Sequence, residues 1–139
     1  MIKGINHITL AVSDLKASVF FYKRVLGLSL VSIHEGGAYF KAGDTWFCLV
    51  ADSAAADQSR LDYSHIAFDL SQEDFAVFDK KLAANGARIW KKNASEGLSI
   101  YFLDPDGHKL EAHVGTLESR LHSMRSNNHN STSESGCVL

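Results

Sequence analysis

The apolar positions of the chain trace the same series of elements twice. In each half, a short apolar run is followed by apolar residues at the three- and four-residue spacing of one helix face. The first such face consists of Leu15, Val19, Tyr22 and Leu26, and the second of Phe75, Phe78 and Leu82. This spacing predicts an amphipathic helix after each apolar run.

Polar residues and glycines bound both predicted helices. We expect Ser13 to be the N-cap of the first helix, because a serine hydroxyl accepts a hydrogen bond from a free backbone N–H of the first turn. Ser71 and Asp74 resemble a capping box at the start of the second helix. Gly27 and Gly86 follow the two helices, at the position where a left-handed residue commonly ends a helix.

Three runs with strand character follow each helix. They read LSLVSI, GAYFKAG and TWFCLV in the first half, and ARIWKK, SIYFLD and HKLEAHV in the second. Each half therefore predicts a βαβββ module, and we expect an α+β fold whose two tandem modules form a curved mixed sheet. Two such modules can pair across a concave surface, either within one chain or by exchange between two chains.

These elements divide the chain into one domain and a tail. We expect the tail to be disordered, because it is polar and has no periodicity. The single domain is expected to span residues 1–125. Its expected parts are module 1 at about 1–50, a linker at 51–62, module 2 at about 63–115 and a C-terminal helix at about 116–125, with the tail at 126–139.

Composition argues against several classes of protein function. The formal net charge of −2, with acids and bases interspersed, argues against a nucleic-acid or membrane-surface binder. No apolar run approaches the length of a membrane span, and the N-terminus lacks the features of a signal peptide, so we expect a cytoplasmic protein. Cys48 and Cys137 form neither a disulfide framework nor a paired-cysteine metal motif.

Two histidines and one glutamate are candidate metal ligands. His7 and His65 stand at the head of equivalent runs, so the repeat can bring them to a common point. Glu111 lies within an otherwise apolar final run, where an unpaired carboxylate would be costly. Two imidazoles and a carboxylate suit Mn²⁺, Fe²⁺ or Zn²⁺ and leave positions open for a substrate. Ordinary structural histidines remain the alternative, and His113, two residues beyond Glu111, is not expected to be a ligand.

A polar loop in the second half suits an anionic ligand. Residues 90–102 carry hydroxyls, an amide and an ammonium group that can bind a phosphate or a phosphonate. These groups belong to Lys91, Asn93, Ser95, Ser99 and Tyr101. Arg120, in the following predicted helix, can add a guanidinium. A plain hairpin loop and a solvated helix face are the alternative interpretations.

Several motifs of the chain together resemble one enzyme family. The stretches NHITLAVSDL, GAY, YSHIAF, WKKNASEG and YFLDPDGHKLEAHVG, spread over about residues 1–125, resemble the manganese-dependent fosfomycin-resistance transferases of the vicinal oxygen chelate superfamily. The resemblance implies an enzyme that opens the epoxide of fosfomycin with the thiol of glutathione and that depends on Mn²⁺ and K⁺. It also implies a homodimer with exchanged modules, in which His7 of one chain joins His65 and Glu111 of the other as metal ligands.

The other site residues of the family fall on matching positions of this chain. The resemblance implies a potassium-binding loop of Asn93, Ser95, Gly97 and Ser99. It implies phosphonate contacts from Lys91, Ser95, Ser99, Tyr101 and Arg120. It further implies a pocket lined by Thr9, Trp46 and Tyr63. Thr9 and Tyr39 are its implied catalytic residues, with Thr9 donating a hydrogen bond to the epoxide oxygen and Tyr39 lying beside the thiol.

The sequence departs from the family pattern at a few points, and other functions remain open. Ala94 stands where the family often has Arg, His34 stands where it often has Trp, and the polar tail replaces an apolar, aromatic ending. These departures bear on the choice of thiol and on efficiency more than on the type of reaction. The alternatives are a metal-free protein that sequesters a drug, a dioxygenase, and an epoxide hydrolase with Glu35 as its base.

Overall fold

Eight strands and three α-helices make up the described part of the chain. The computed structural model describes residues 1–56 and 59–134. The strands are β1 (His7–Val12), β2 (Ser29–His34), β3 (Gly37–Ala42), β4 (Thr45–Ala51), β5 (Ile66–Asp69), β6 (Ile89–Lys91), β7 (Leu98–Leu103) and β8 (Lys109–Val114). The helices are α1 (Leu15–Phe20), which continues into a π-helical turn (Phe21–Val25), α2 (Phe75–Ala84) and α3 (Leu117–Glu134).

Each half of the chain forms one four-stranded mixed sheet. The strand orders are β1-β4-β3-β2 and β5-β8-β7-β6. The first strand of each half pairs in parallel with the last strand, and the other neighbours are antiparallel. One helix follows each first strand, so both halves are βαβββ modules, as the repeat predicted. The linker between them includes a short 3₁₀ turn at Ser53–Ala55.

The first helix begins one residue later than predicted. Asp14, not Ser13, is its N-cap, and the Asp14 side chain accepts a hydrogen bond from the backbone N–H of Ala17. The backbone N–H and the hydroxyl of Ser13 both donate instead to the carboxylate of Asp106, in the turn between β7 and β8. A tertiary partner thus holds the Ser13 side chain, and the neighbouring Asp14 accepts the helix N–H in its place.

The other predicted helix boundaries are the Ser71–Asp74 pair before α2 and the glycines after both helices. α2 begins after Asp74, and Ser71 exchanges two hydrogen bonds with Asp74 without capping the helix itself. Gly27 and Gly86 have φ angles of 79° and 67° and follow the two helices, as predicted. This left-handed conformation is readily adopted only by glycine and a few polar residues.

The two modules share one hydrophobic core. Alternate residues of a strand lie on opposite faces of its sheet. The core-facing set includes Ile8 and Leu10 of β1 with Phe102 of β7, whereas His7 and Thr9 lie on the opposite face. Rings from the two modules meet in this core: the centroids of Phe21 and Phe102 are 6.3 Å apart. Because the core-facing sides of the modules pack together, their other sides stay open in a single chain.

The C-terminal helix is longer than predicted. α3 runs to Glu134, so the expectation of a helix ending near residue 125 and of a disordered tail beginning at residue 126 is wrong for residues 126–134. This segment has no Gly or Pro before Gly136, and the Ser126 hydroxyl donates back to the carbonyl of His122 within the helix. Residues 135–139, with Cys137, lie outside the described residues.

Across the residues described, no helix has the length and apolarity to cross a membrane.

Candidate active site

Glu111 occupies the middle of β8 on the open face of the second sheet. It lies opposite Tyr101 of β7 and Ala67 of β5, and it is only 7% exposed. Its Oε1 accepts a hydrogen bond from the Ser99 hydroxyl at 2.7 Å, and its Oε2 lies 2.9 Å from His65 Nε2. Burial raises the pKa of Glu111, but the hydrogen bond from Ser99 and the close contact with the His65 ring outweigh burial and leave the pKa below its ordinary value. Glu111 is therefore a carboxylate at neutral pH.

The pair of His65 and Glu111 has the chemistry of a cation site. His65 Nδ1 lies 2.8 Å from the carbonyl oxygen of Tyr63, which can only accept, so Nδ1 carries a hydrogen. In a neutral imidazole, Nε2 then presents a lone pair to the Glu111 oxygen. Two lone pairs at 2.9 Å are compatible only when a proton or a metal ion lies between them. A backbone carbonyl that accepts from the second ring nitrogen is also the usual support of a metal-binding histidine.

His7 lies apart from this pair. It begins β1, its Nδ1 lies 2.8 Å from Asn6 Oδ1, and its ring packs on Trp46 with centroids 4.5 Å apart. Among the described residues, no three His, Cys, Asp or Glu side chains form a group that could hold a metal ion. One chain therefore unites His65 with Glu111 but does not bring in the third predicted ligand, because the open faces of the two modules point away from their shared core.

Other predicted site residues surround His7 on the open face of the first sheet, here called the module-1 face. The register places His7 opposite Trp46, and Thr9 and Tyr39 on either side of Cys48. By this register, the module-1 face includes His7, Thr9, Tyr39, Trp46 and Cys48. Tyr39 and Trp46 are 39% and 41% exposed, and their rings meet edge to face at 5.4 Å. An aromatic surface with this exposure can pack against a further surface or line a pocket.

The open face of the second sheet, here called the module-2 face, carries the cationic and hydroxyl groups. It consists of Tyr63, His65, Lys91, Ser99, Tyr101, Glu111 and His113. Lys91 Nζ donates to the Tyr63 hydroxyl at 2.8 Å and lies 4.7 Å and 4.8 Å from the ring centroids of Tyr63 and Tyr101. The hydrogen bond with Tyr63 raises the pKa of Lys91, so its ammonium is charged at neutral pH.

The predicted loop is closed by its own side chains. Asn93 Nδ2 donates to the carbonyl of Gly97 at 2.8 Å, and Asn93 Oδ1 accepts from both the backbone N–H and the hydroxyl of Ser95. Arg120 of α3 reaches the same loop, with Nη2 at 3.5 Å from Ser95 Oγ and 3.4 Å from the Glu96 carbonyl. The structure therefore brings Arg120 to the loop.

Two residues that the sequence did not select are part of this region. Trp90 packs against Tyr63, His65 and Tyr101, and its Nε1 donates to the carbonyl of Leu110. His113 Nδ1 lies 2.7 Å from Ser99 Oγ. The two-residue alternation of β8, which places residues 111 and 113 on one face, is the signal that could have identified His113.

A separate apolar cavity of about 410 Å³ opens between β1 and β5, lined in part by Ile8, Phe47, Ile66 and Phe68. It contains none of the candidate ligands. The candidate metal ligands and Lys91 lie on the open sheet faces, and we assign the candidate site to those faces.

Comparison with known proteins identifies the family of the chain. The model of the Glyoxalase/Bleomycin resistance protein/Dioxygenase superfamily matches residues 4–112. The chain belongs to this superfamily. Within the superfamily, it is 50% identical over 127 residues to the Glutathione transferase FosA of Serratia marcescens, covering 90% of each chain. It is 41% identical over 125 residues to the Metallothiol transferase FosB of Staphylococcus haemolyticus (strain JCSC1435), covering 87% of this chain and 90% of that one.

A solved structure extends the comparison to three dimensions. The fosfomycin resistance protein FosX of Listeria monocytogenes, in a glutamate-to-glutamine mutant form, was crystallised with Mn(II) and 1S,2S-dihydroxypropylphosphonic acid. It matches this chain with a TM-score of 0.75 and 31% identity, covering 87% of this chain and 97% of that one. The fold that carries the candidate site is thus shared with a protein that holds a manganese ion and a phosphonate.

Proposed function

We propose that this protein inactivates fosfomycin by adding glutathione to its epoxide and so confers resistance to the antibiotic. The observation that carries the proposal is the module-2 face, where a carboxylate–imidazole pair suited to a metal ion lies beside a charged lysine and a hydroxyl loop. The FosA protein, 50% identical to this chain, is a glutathione transferase. We also propose a cytoplasmic location, because glutathione is the main thiol buffer of the cytosol.

A second copy of the chain completes the proposed site. The two halves of the donor set lie on faces that point away from each other in one chain, and the module-1 face exposes aromatic surface. In a homodimer with exchanged modules, the module-1 face of one copy would cover the module-2 face of the other. His7 of one copy would then join His65 and Glu111 of its partner around Mn²⁺ or another divalent ion.

In this proposal, each protein residue that contacts a substrate has a distinct role. When bound, the divalent ion supplies Lewis-acid stabilisation of the charge that develops on the epoxide oxygen. Lys91 and Arg120 anchor the phosphonate through charge-assisted hydrogen bonds, and Ser95 lies beside Arg120. Thr9 donates a hydrogen bond towards the epoxide oxygen, and Tyr39 orients the glutathione thiolate, which is the reactive form of the thiol. Tyr63, Tyr101 and Trp46 form the walls of the pocket.

A potassium ion is the second proposed cofactor. The loop of Asn93, Ser95, Gly97 and Ser99 offers hydroxyl and carbonyl oxygens, and it is already folded back on itself by the bonds of Asn93. Oxygen donors of this kind suit a hard monovalent cation. The added positive charge would lie close to the bound phosphonate and strengthen its binding.

Hydrolysis of the epoxide is the second candidate function, because FosX was crystallised with a diol phosphonate. A hydrolase needs a carboxylate to activate water. Glu35, the only candidate base in the loop region, lies exposed in the turn between β2 and β3, where it is solvated. We therefore favour thiol addition over water addition.

The test is a product analysis. The protein is incubated with Mn²⁺, K⁺ and fosfomycin, with and without glutathione, and the products are separated by mass spectrometry. We expect the glutathione adduct only when glutathione is present. Formation of the diol at the same rate in both samples would overturn thiol transfer, and tight drug binding without turnover in a metal-free sample would indicate sequestration.

A further inference from the structure

Ser99 lies between two other side chains of the module-2 face. The register of β7 and β8 sets Ser99 directly opposite His113, with Glu111 on the same face of β8. Ser99 Oγ is 2.7 Å from Glu111 Oε1 and 2.7 Å from His113 Nδ1, and Ser99 is only 8% exposed. Three side chains therefore form one chain of two short hydrogen bonds.

The proton count decides the direction of both hydrogen bonds. A serine hydroxyl has one hydrogen and two acceptor lone pairs, and a carboxylate only accepts. The single hydrogen of Ser99 therefore goes to Glu111. Ser99 must then accept from His113, so Nδ1 of His113 carries a hydrogen. One lone pair of Ser99 remains for a further contact.

The ring of His113 is held in place by backbone rather than by side chains. A Cβ atom at Gly115 would lie 2.7 Å from His113 Nε2, and a Cβ atom at Gly97 would lie 3.1 Å from His113 Cε1. Two glycines thus form a slot that admits the imidazole. Since β8 fixes the Cα of His113 and the slot fixes its ring, the Nδ1–H direction towards Ser99 is set by the fold.

We propose that His113 is a positioning residue, which commits the hydroxyl hydrogen of Ser99 to Glu111 and leaves Ser99 only a lone pair for ligands. This inference rests on the proposed function and sharpens it. Ser99 then has no hydrogen to donate to a phosphonate oxygen, so it serves the loop as an acceptor for a cation. The phosphonate is left to Lys91 and Arg120, because the single hydroxyl hydrogen of Ser95 is engaged in the same way by Asn93 Oδ1.

Glu111 gains a fixed orientation from the same contacts. Glu111 Oε2 and His65 Nε2 lie 2.9 Å apart at the proposed metal position. Among the described residues, the Oε1–Ser99–His113 connection is the hydrogen-bonded support of the carboxylate that does not involve His65. Loss of an outer support of this kind typically weakens metal binding about 10–100-fold.

The test compares two variants of nearly equal shape. His113→Asn keeps an N–H close to the Nδ1 position, whereas His113→Leu has the outline of Asn without a donor. Mn²⁺ binding is measured by the spin-resonance signal of free Mn²⁺, with K⁺ present, and the melting temperature of the metal-free protein controls for packing. We expect His113→Leu to bind Mn²⁺ at least about 10-fold more weakly than the wild type, and His113→Asn to stay within about 3-fold of it.

Two outcomes would overturn the role of His113. One is equal Mn²⁺ affinity in His113→Leu and the wild type, and the other is equal weakening in both variants, which indicates packing alone. Nitrogen NMR of the metal-free wild type gives an answer that needs no variant to fold: we expect the Nδ1–H tautomer of His113, and the Nε2–H tautomer would refute the proposal. A wild type that binds no Mn²⁺ would instead overturn the proposed function, whatever the tautomer.

Discussion

The hydroxyl of Tyr22 joins the two modules through one buried hydrogen bond. Tyr22, from the turn that follows α1, donates to Asp104 Oδ2 at 2.7 Å, and its side chain is fully buried. Burial, together with the charge of Asp104, raises the pKa of Tyr22 well above its ordinary value. Burial also raises the pKa of Asp104, although the nearby His108 and then the hydrogen bonds from Tyr22 and two backbone N–H groups partly offset this.

Tyr22 should make the protein sensitive to alkali. An unfolded tyrosine ionises near pH 10 while the folded Tyr22 stays neutral, so its contribution to the free energy of unfolding is complete below about pH 10 and is lost as the pH rises through the higher folded-state value. Tyr22→Phe should cost about 1.5–3 kcal/mol at pH 8 and flatten the alkaline loss. Urea unfolding at pH 8 and above pH 10 measures both effects. Tyr39→Phe, at an exposed tyrosine, is the control, and an unchanged alkaline loss in Tyr22→Phe would refute the assignment.

The charge of Glu111 should be essential to metal binding. Glu111→Gln keeps the side-chain shape but removes the negative charge, so we expect Mn²⁺ affinity to fall at least about 100-fold, because this group is a proposed ligand rather than an outer support. Titration calorimetry with Mn²⁺ makes the comparison. Glu118→Gln, the same change at an exposed position of α3, should bind Mn²⁺ like the wild type. Undiminished affinity in Glu111→Gln would remove Glu111 from the site.

The loop between β6 and β7 depends on the backbone of one glycine. Gly97 has a φ angle of 81°, and a Cβ atom there would lie 2.8 Å from the carbonyl oxygen of Val114 in β8. An alanine at this position would therefore have to displace the loop from the sheet, in addition to the cost of a left-handed alanine.

Gly97→Ala should consequently impair the response to K⁺. We expect the K⁺ concentration required for half-maximal activity to rise at least about 10-fold, because the loop oxygens that would bind the ion move. The matched control is Gly43→Ala, where φ is 59° but no atom lies within 4 Å of the added Cβ. Equal K⁺ dependence in both variants would show that the loop tolerates the change and that its backbone does not hold the ion.

At the scale of the whole molecule, the separation of His7 from the His65–Glu111 pair predicts shared sites. His7→Ala and Glu111→Ala homodimers should each be inactive. In a dimer of one chain of each kind, one site would contain an intact His7 from one copy and an intact Glu111 from the other. Co-expression of the two variants should therefore restore about one quarter of the wild-type activity by random pairing.

Differently tagged chains allow the mixed dimer to be isolated and its activity measured directly. Activity per mixed dimer near half of the wild-type value is the expected result, since one of its sites is intact. A mixed dimer as inactive as the two parents would mean that each site is built within one chain, and the proposed exchange of modules would then be wrong.

Much of the local structure followed from the chain alone. The spacing of apolar residues predicted both modules and all six strands that follow the helices. The position after each helix predicted the roles of Gly27 and Gly86. These features depend on residues that are neighbours in sequence. The proximity of His65 and Glu111 could also be predicted from the sequence, since the repeat and the alternation of β8 place both groups on one open face.

Tertiary structure alone decided the features that rest on distant partners. Ser13 lacks its expected capping role because Asp106, on the other module, holds its side chain, and Asp14 accepts the helix N–H instead. The proposed role of His113 arises because Ser99, on the adjacent strand, lies 2.7 Å from its Nδ1. The direction of the open faces, which keeps His7 away from Glu111 in one chain, depends on how two complete modules bury their apolar sides. Local sequence determines which elements form and which of their sides is polar, whereas the partner that each side meets is set by packing over the whole molecule.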